Sequence, residues 1–247
     1  MGDVDSGSRY VDYARVADRY RVGRALSPAV LDRWRDAVLP RIPDPPVLVV
    51  DVGAGTGLFS VAWPRWTPAT VVAVEPSAEM IRAGDDGVRY VQGVAEYLPL
   101  ATGCADVVWI STALHHFTDL PRAVWECVRV LRDSGRLLVR TFLPGRTEIT
   151  WMGAFPGREK ALTRFMDLDR LAAVFAPHGL VVDHVGEVFE EVWSFAESAE
   201  WVERMRHADS MLTALTDEEV AAGLRALRAE PDRQARNELS LVVFRRS

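Results

Sequence analysis

The feature that most limits the fold of this chain is an apolar run that leads directly into a glycine-rich turn. The run from Val47 to Val52 is almost entirely apolar, which is typical of a strand buried on both faces. The turn from Gly53 to Gly57 follows, and the apolar segment from Leu58 to Trp63 predicts a helix that Pro64 ends. Glycines between a strand and a helix let the backbone approach a ligand closely. The segment therefore predicts the start of an α/β domain with a ligand at the turn.

Strands and helices continue to alternate over the following residues. Helices are predicted from Ser77 to Arg82 and from Asp119 to near Gly135, and strands over residues 70–74, 88–92, 105–110 and 136–142. Such alternation predicts a parallel sheet with helices on both faces. Right-handed crossovers then place the carboxyl ends of the strands at one edge of the sheet, where ligands bind.

The remaining residues predict a lid and two insertions around this core. Residues 1–46 predict a helical N-terminal lid segment, in which Ser27 and Pro28 begin a helix. Residues 47–247 predict the core, with substrate-cap insertions around residues 144–170 and 192–235. Within this core the predicted helices cover residues 171–176, 193–206 and 217–228, the last one with a capping box, and the predicted strands run from 180 to near 189 and over 238–245.

Composition and charge exclude several classes of protein. The chain is 49% apolar with a net charge of -6, which argues against a protein that coats nucleic acid. No apolar run approaches a membrane span, and the N-terminus does not resemble a signal peptide, so a cytoplasmic protein that binds no membrane is expected. Lys160 is the only lysine and lies between Glu159 and Ala161, which excludes a phosphate-binding P-loop. Two cysteines predict neither a disulfide framework nor a zinc site, and no metal is expected.

A carboxylate on the second predicted strand indicates what the turn binds. Glu75 ends that strand, where a carboxylate can accept hydrogen bonds from both ribose hydroxyls. The alternative is a solvated charge at the end of a strand. A dinucleotide pattern would need glycine at position 58, which is Leu58. Asp51, just before the turn, suits a ligand with an amino group better than one with a pyrophosphate.

These segments together resemble a known family. The segment from Asp51 to Gly57 resembles motif I of the class I S-adenosylmethionine-dependent methyltransferases, in the type 11 branch that acts on small molecules. The segment from Val74 to Met80 is similar to the part that grips the ribose and flanks the adenine, and Gly93 to Pro99 to the loop that recognises the adenine. Residues 106–117 resemble motif IV and its continuation, and 131–137 the loop into strand five.

This resemblance covers about residues 10 to 143 and carries expectations about the fold and the cofactor. It implies a Rossmann-like, doubly wound α/β sheet of seven strands that is mostly parallel, with an antiparallel last strand and helices on both faces. It also implies that S-adenosyl-L-methionine is bound by Tyr20, Arg24, Asp51, Gly53, Ala54, Gly55, Gly57, Glu75, Pro76, Met80, Ala95, Glu96 and Ser111. For Tyr20 and Arg24 the alternative is an exposed helical face.

One position departs from the family pattern. Many members have Asp where this chain has Val94, and that Asp binds the adenine amino group. Adenine recognition is then left to main-chain groups near Ala95 and to Glu96. A single lost hydrogen bond costs about 1 kcal/mol, so it weakens binding without abolishing it.

The expected reaction is methyl transfer to an O, N or C atom of a small-molecule acceptor. His116 and His115 are the candidates for a general base, the alternative being that they only shape the pocket. Trp151, Phe155, Phe165 and Trp193 are candidates for the acceptor pocket, or else ordinary core residues. Two other functions stay open at this point: an NAD-linked oxidoreductase, and a non-catalytic binding protein with the same fold.

Overall fold

A computed structural model describes residues 21–247, and all structural statements concern these residues. Seven strands form one sheet in the order β3-β2-β1-β4-β5-β7-β6. All neighbours are parallel except β7, which runs antiparallel to both β5 and β6. The expected seven-stranded sheet with an antiparallel last strand is confirmed. The strands are β1 (Leu48–Val52), β2 (Thr70–Glu75), β3 (Tyr90–Gln92), β4 (Ala105–Ser111), β5 (Leu131–Thr141), β6 (Leu180–Ser194) and β7 (Gln234–Arg246).

Helices cover both faces of the sheet because the central strands are apolar on both sides. Val49, Val107 and Trp109 pack against helices on one face, whereas Val50, Val108 and Ile110 belong to the core of the other face. The α-helices are α1 (Pro28–Val38), α2 (Leu58–Trp66), α3 (Ala78–Ala83), α4 (Leu120–Val130), α5 (Arg158–Leu162), α6 (Leu168–Phe175), α7 (Phe195–Met205) and α8 (Asp217–Ala229). Helices α1 and α2 lie on the first face, and α4 and α6 on the second.

Four predicted helix starts are confirmed by their side-chain caps. Ser27 accepts a hydrogen bond from the backbone N–H of Val30, and Ser77 accepts one from that of Met80. Asp119 caps α4 in the same way, and Thr216 begins α8 with the predicted capping box. Each of these short polar side chains satisfies a backbone donor that has no partner within the helix.

Several predicted element ends were wrong, and three of them have a clear physical reason. Pro64 lies inside α2, which continues to Trp66; proline removes only one backbone donor, and the buried residues Phe59 and Trp63 hold the helix against the sheet. Helix α4 ends at Val130 instead of near Gly135, because Leu131 already pairs with Ala105 and Gly135 lies in β5.

The third concerns the end of β6. Trp193 belongs to this strand and not to the following helix, since β6 pairs with β7 as far as Ser194. Sequence periodicity cannot show this extension, because the pairing partner comes forty residues later in the chain.

A third cluster of buried side chains lies outside the two sheet faces. It contains Trp151, Met152 and Phe155 together with the inner sides of α7 and α8. We call residues 144–170 and 192–235 the cap. These are the bounds of the two predicted insertions. The division into lid, core and cap stays a prediction. No helix within residues 21–247 is long and apolar enough to cross a membrane.

Candidate functional site

The glycine turn between β1 and α2 adopts a backbone conformation that few other residues tolerate. Gly53, Gly55 and Gly57 have φ angles of 71°, 59° and 80°, all in the left-handed region. A side chain at Gly53 would also place its Cβ 2.7 Å from the Cβ of Ala113. The backbone N–H groups of Gly53 and Ala54 donate to the carbonyl oxygen of Val74. The turn is therefore fixed against the end of β2, with room for a ligand beside its backbone.

Two carboxylates hold this turn in place. Glu75 accepts hydrogen bonds from the backbone N–H of Gly55 at 2.8 Å and of Ser77 at 3.0 Å, and burial raises its pKa. Asp51 is 1% exposed and accepts a hydrogen bond from the hydroxyl of Ser60 at 2.6 Å. Burial raises the pKa of Asp51 to about 7, against the opposing effect of that hydrogen bond. Each oxygen of Glu75 accepts one of these bonds and retains a second lone pair for a ligand.

The other predicted adenine contacts lie further along the same edge of the sheet. Met80 is buried, Pro76 is exposed, and Ala95 is buried at the start of a short 3-10 helix. Val94 is 42% exposed.

Glu96 has a structural role that the sequence did not predict. Its carboxylate accepts hydrogen bonds from the backbone N–H groups of Thr118 and Asp119 and from the hydroxyl of Thr118. Burial raises the pKa of Glu96, but these hydrogen bonds outweigh it and the net pKa is lowered. The glutamate thus braces the start of α4, and a contact with adenine stays a prediction.

A cavity of about 410 Å³ opens beside the turn and continues under the cap. Its volume lies within the range of small-molecule sites. The predicted site residues in its wall are Arg24, Asp51, Gly53, Ala54, Gly57, Ser111, His115, Trp151, Phe165 and Trp193. Gly55, Glu75, Pro76, Met80, Ala95, Glu96, His116 and Phe155 are not part of this wall. Phe155 is 1% exposed within the core of the cap, as its alternative interpretation held.

Of the two histidines, His115 is the one in the cavity wall. Its Nε2 lies 2.9 Å from the hydroxyl of Ser210, and its ring centroid is 4.1 Å from that of His116. Burial lowers the pKa of His115 well below its usual range, and the nearby His116, Arg24 and Arg164 lower it further. Burial also lowers the pKa of His116 to about 4. Both imidazoles are therefore neutral at neutral pH.

Of the two N-terminal candidates, Tyr20 and Arg24, only Arg24 lies within the described residues. Arg24 lines the cavity, and its guanidinium donates to the carboxylate of Asp209 at 2.5 Å. Asp209 is fully buried and also accepts hydrogen bonds from the backbone N–H groups of Met211 and Leu212. The pair ties the segment before α1 to the cap.

Sequence analysis missed a buried ion pair in the cavity wall. The guanidinium of Arg140 at the end of β5 donates to the carboxylate of Glu190 on β6 and to the hydroxyl of Ser111. Glu190 also accepts a hydrogen bond from the indole N–H of Trp34 at 2.8 Å. The only available signal was that Arg140 occurs inside a predicted buried strand, where an unpaired charge is costly.

The comparison with known protein families shows what the part of the chain around the glycine turn is similar to. Residues 50–139 match the family model of the methyltransferase domain. This segment is similar to a methyltransferase domain. It contains the glycine turn, Glu75, Ser111 and His115, whereas the cap lies outside the matched segment.

Two curated relatives carry methyltransferase names. The chain is 35% identical over 155 residues to malonyl-acyl-carrier-protein O-methyltransferase of Methylococcus capsulatus, covering 56% of this chain and 50% of that protein. It is 31% identical over 153 residues to ubiquinone/menaquinone biosynthesis C-methyltransferase of Caulobacter vibrioides, covering 55% of this chain and 61% of that protein. The aligned parts thus span about half to three fifths of these relatives. The methyltransferase resemblance seen in the sequence is confirmed.

A solved structure extends the likeness of the methyltransferase domain to most of the fold. It is a candidate methyltransferase of an antibiotic biosynthesis pathway from Anabaena variabilis, with a TM-score of 0.69 and 22% sequence identity. The superposition covers 87% of this chain and 97% of that chain. At this identity the likeness concerns the fold.

Proposed function

We propose that this protein transfers a methyl group from S-adenosylmethionine to a small-molecule acceptor. The observation that carries the proposal is the continuity of one cavity, which runs from the left-handed glycine turn of the methyltransferase domain into the aromatic interior of the cap. A donor held at the turn and an acceptor held under the cap would then share one cavity. Holding two reactants in line is the main way a protein accelerates such a displacement.

The residues around the turn fit the cofactor. The glycine backbone leaves space at the cavity wall, and Asp51 is a buried carboxylate in that wall, which suits the amino group of the methionine part. Glu75 retains lone pairs for ribose hydroxyls at the end of β2. S-adenosylmethionine supplies an activated methyl group on a sulfonium, so the protein needs to supply alignment and exclusion of water.

This geometry does not require a general base for every acceptor. His115 is a neutral hydrogen-bonding group in the cavity wall, and it can orient an acceptor or receive a proton from an acidic one. His116 stays a prediction with weaker support, since its side chain is not part of that wall.

Calorimetric titration of the wild-type protein and two variants tests the cofactor part of the proposal. Ala54→Leu adds bulk at the cavity wall without requiring a left-handed residue, and Ala101→Leu is the control in an exposed turn at the other end of the strands. We expect S-adenosylmethionine to bind the wild-type protein and the control equally well. We expect Ala54→Leu to weaken binding at least tenfold while its thermal unfolding stays that of the control.

The same samples distinguish the alternatives. Tight binding of NAD without binding of S-adenosylmethionine would contradict the proposal and favour an oxidoreductase. Incubation with S-adenosylmethionine and a metabolite extract, followed by mass spectrometry, should yield a product heavier by one CH2 group. Cofactor binding without turnover over a broad panel of acceptors would instead favour a binding protein.

A further inference from the structure

A β-bulge in β6 brings two successive glutamates to the same cavity. Phe189 pairs with Glu238 and Glu191 pairs with Asn237, so Glu190 is an extra residue in the strand. Without the bulge, successive side chains would point to opposite faces of the sheet. With it, both Glu190 and Glu191 line the cavity. Bulges of this kind occur often beside functional sites, where they redirect a side chain.

The two glutamates differ in how their charge is balanced. The carboxylate of Glu190 is paired with Arg140. The carboxylate of Glu191 accepts a hydrogen bond from the indole N–H of Trp193 at 2.7 Å and forms no salt bridge with any residue in the range 21–247. The third glutamate of this wall, Glu238, is paired with Arg236 at 2.8 Å. Of the three glutamates in this wall, Glu191 is therefore the one whose charge no guanidinium of the described chain neutralises.

Three tryptophans surround this part of the cavity. The ring centroid of Trp201 is 5.4 Å from that of Trp151 and 5.8 Å from that of Trp193, and all three residues line the wall. Indole faces attract a cation through the ring quadrupole, most strongly where water is excluded. The amide oxygen of Asn237, in the same wall, is buried and has no hydrogen-bond partner among the described residues. It can accept a hydrogen from an N–H donor.

From these groups we infer that the acceptor is an amine, bound through Glu191 and the faces of Trp151, Trp193 and Trp201. Two guanidinium groups of the wall, those of Arg24 and Arg140, are already paired with Asp209 and Glu190. The inference rests on the proposed function and specifies its substrate class. It concerns residues outside the segment that matches the methyltransferase family.

The chemistry of the step agrees with this arrangement. An amine that enters as an ammonium ion first loses a proton to solvent, which frees its lone pair. The lone pair then forms an N–C bond as the C–S bond of the sulfonium donor breaks, and the electron pair of that bond stays on sulfur. The positive charge that leaves the sulfur appears on the nitrogen. Glu191 and the indole faces stabilise this charge where it develops.

A pair of probes with the same shape tests the inference without requiring turnover. Choline is a quaternary ammonium ion, and 3,3-dimethylbutan-1-ol is its neutral isostere. Both are titrated by calorimetry in the presence of saturating S-adenosylhomocysteine, so that the cationic donor cannot account for the result. We expect the wild-type protein to bind choline at least tenfold more tightly than the alcohol.

Variants then assign the preference to particular residues. Glu191→Gln keeps an acceptor for the Trp193 N–H and removes only the charge, and Glu187→Gln is the matched control on the same strand, outside the cavity wall. We expect Glu191→Gln to lose about tenfold in choline affinity with unchanged affinity for the alcohol, and Glu187→Gln to behave like wild type. Trp193→Phe, which keeps a smaller ring, should reduce choline affinity as well.

The outcomes separate this inference from the proposed function. Equal affinity of the wild-type protein for the two probes, or an unchanged charge preference in Glu191→Gln, would overturn the amine assignment. Binding of S-adenosylhomocysteine in the same cells would leave the proposed methyltransferase function standing. Absence of that binding would contradict the proposed function, and a choline preference that depends on Glu191 would still support the cation site.

Discussion

At the scale of single residues, burial decides the charge state of the carboxylate in front of the glycine turn. Asp51 is surrounded by the sheet core, and its ordinary pKa of 3.8 rises to about 7 because burial disfavours the ionised form. The folded protein therefore binds more protons than the unfolded chain between about pH 4 and 7. The contribution of Asp51 to stability therefore falls as the pH rises through this window and levels off above it.

Replacement of Asp51 by asparagine should remove this dependence. Asp51→Asn keeps an acceptor for the Ser60 hydroxyl and has no proton to lose. We expect the unfolding free energy of the wild-type protein to decline relative to that of the variant by up to about 1.4 kcal/mol per pH unit. Urea titrations at pH 5, 6, 7 and 8 measure this difference, with Asp86→Asn in an exposed loop as the control. A difference that does not vary with pH would show that Asp51 does not titrate there.

At the scale of elements, the cap depends on the close approach of α8 to the ring of Phe155. Gly223 lies within α8, and a Cβ built on it would be 2.2 Å from Cδ1 of Phe155. Phe155 is 1% exposed and meets Trp151 edge to face, with 5.7 Å between ring centroids. The position of this helix therefore supports one of the tryptophans in the cavity wall.

Gly223→Ala should therefore lower stability, although alanine normally favours a helix over glycine by about 1 kcal/mol. We expect a loss of about 1–3 kcal/mol, since the buried ring has to move to admit the methyl group. Gly153→Ala is the matched control, because a Cβ at that position has open space around it. Chemical unfolding of both variants provides the measurement. A Gly223→Ala protein more stable than wild type would mean that the cap is packed more loosely than described.

At the scale of the whole molecule, one ion pair connects the segment before α1 to the cap. The guanidinium of Arg24 and the buried carboxylate of Asp209 are separated by 185 positions in the sequence. The indole N–H of Trp201 donates to the carbonyl oxygen of Gly23 at 2.8 Å and adds a second link. Both links lie at the cavity, so the attachment of the segment before α1 to the cap is coupled to the formation of the site.

Asp209→Asn should loosen this connection while it keeps the local turn. Asparagine can still accept from the backbone N–H groups of Met211 and Leu212, and only the charge that faces Arg24 is lost. We expect a loss of about 1.5–3 kcal/mol in stability and faster trypsin cleavage after Arg21 and Arg24. Limited proteolysis with mass spectrometry follows these cuts, and cleavage after the exposed Arg89 loop serves as the internal reference. Unchanged cleavage at both sites would contradict the coupling.

Local signals in the sequence were sufficient wherever the structure is decided within a few residues. Ser27, Ser77 and Asp119 cap the helices that they were predicted to begin, because a cap needs only a short polar side chain and the next turn of backbone. The glycine turn was also predictable, because residues other than glycine seldom adopt the left-handed conformation that Gly53, Gly55 and Gly57 each have.

The sequence by itself determined the alternating sheet, the glycine turn and the resemblance to a methyltransferase domain, because period, caps and turn residues act over short stretches of chain. Only the tertiary structure decided which residues line the cavity and how they are paired. The pairing of Arg140 with Glu190, the bulge that brings Glu191 to the cavity, and the bond between Arg24 and Asp209 join residues from 46 to 185 positions apart. Contacts at such distances depend on how the sheet and cap pack, and no local pattern encodes them.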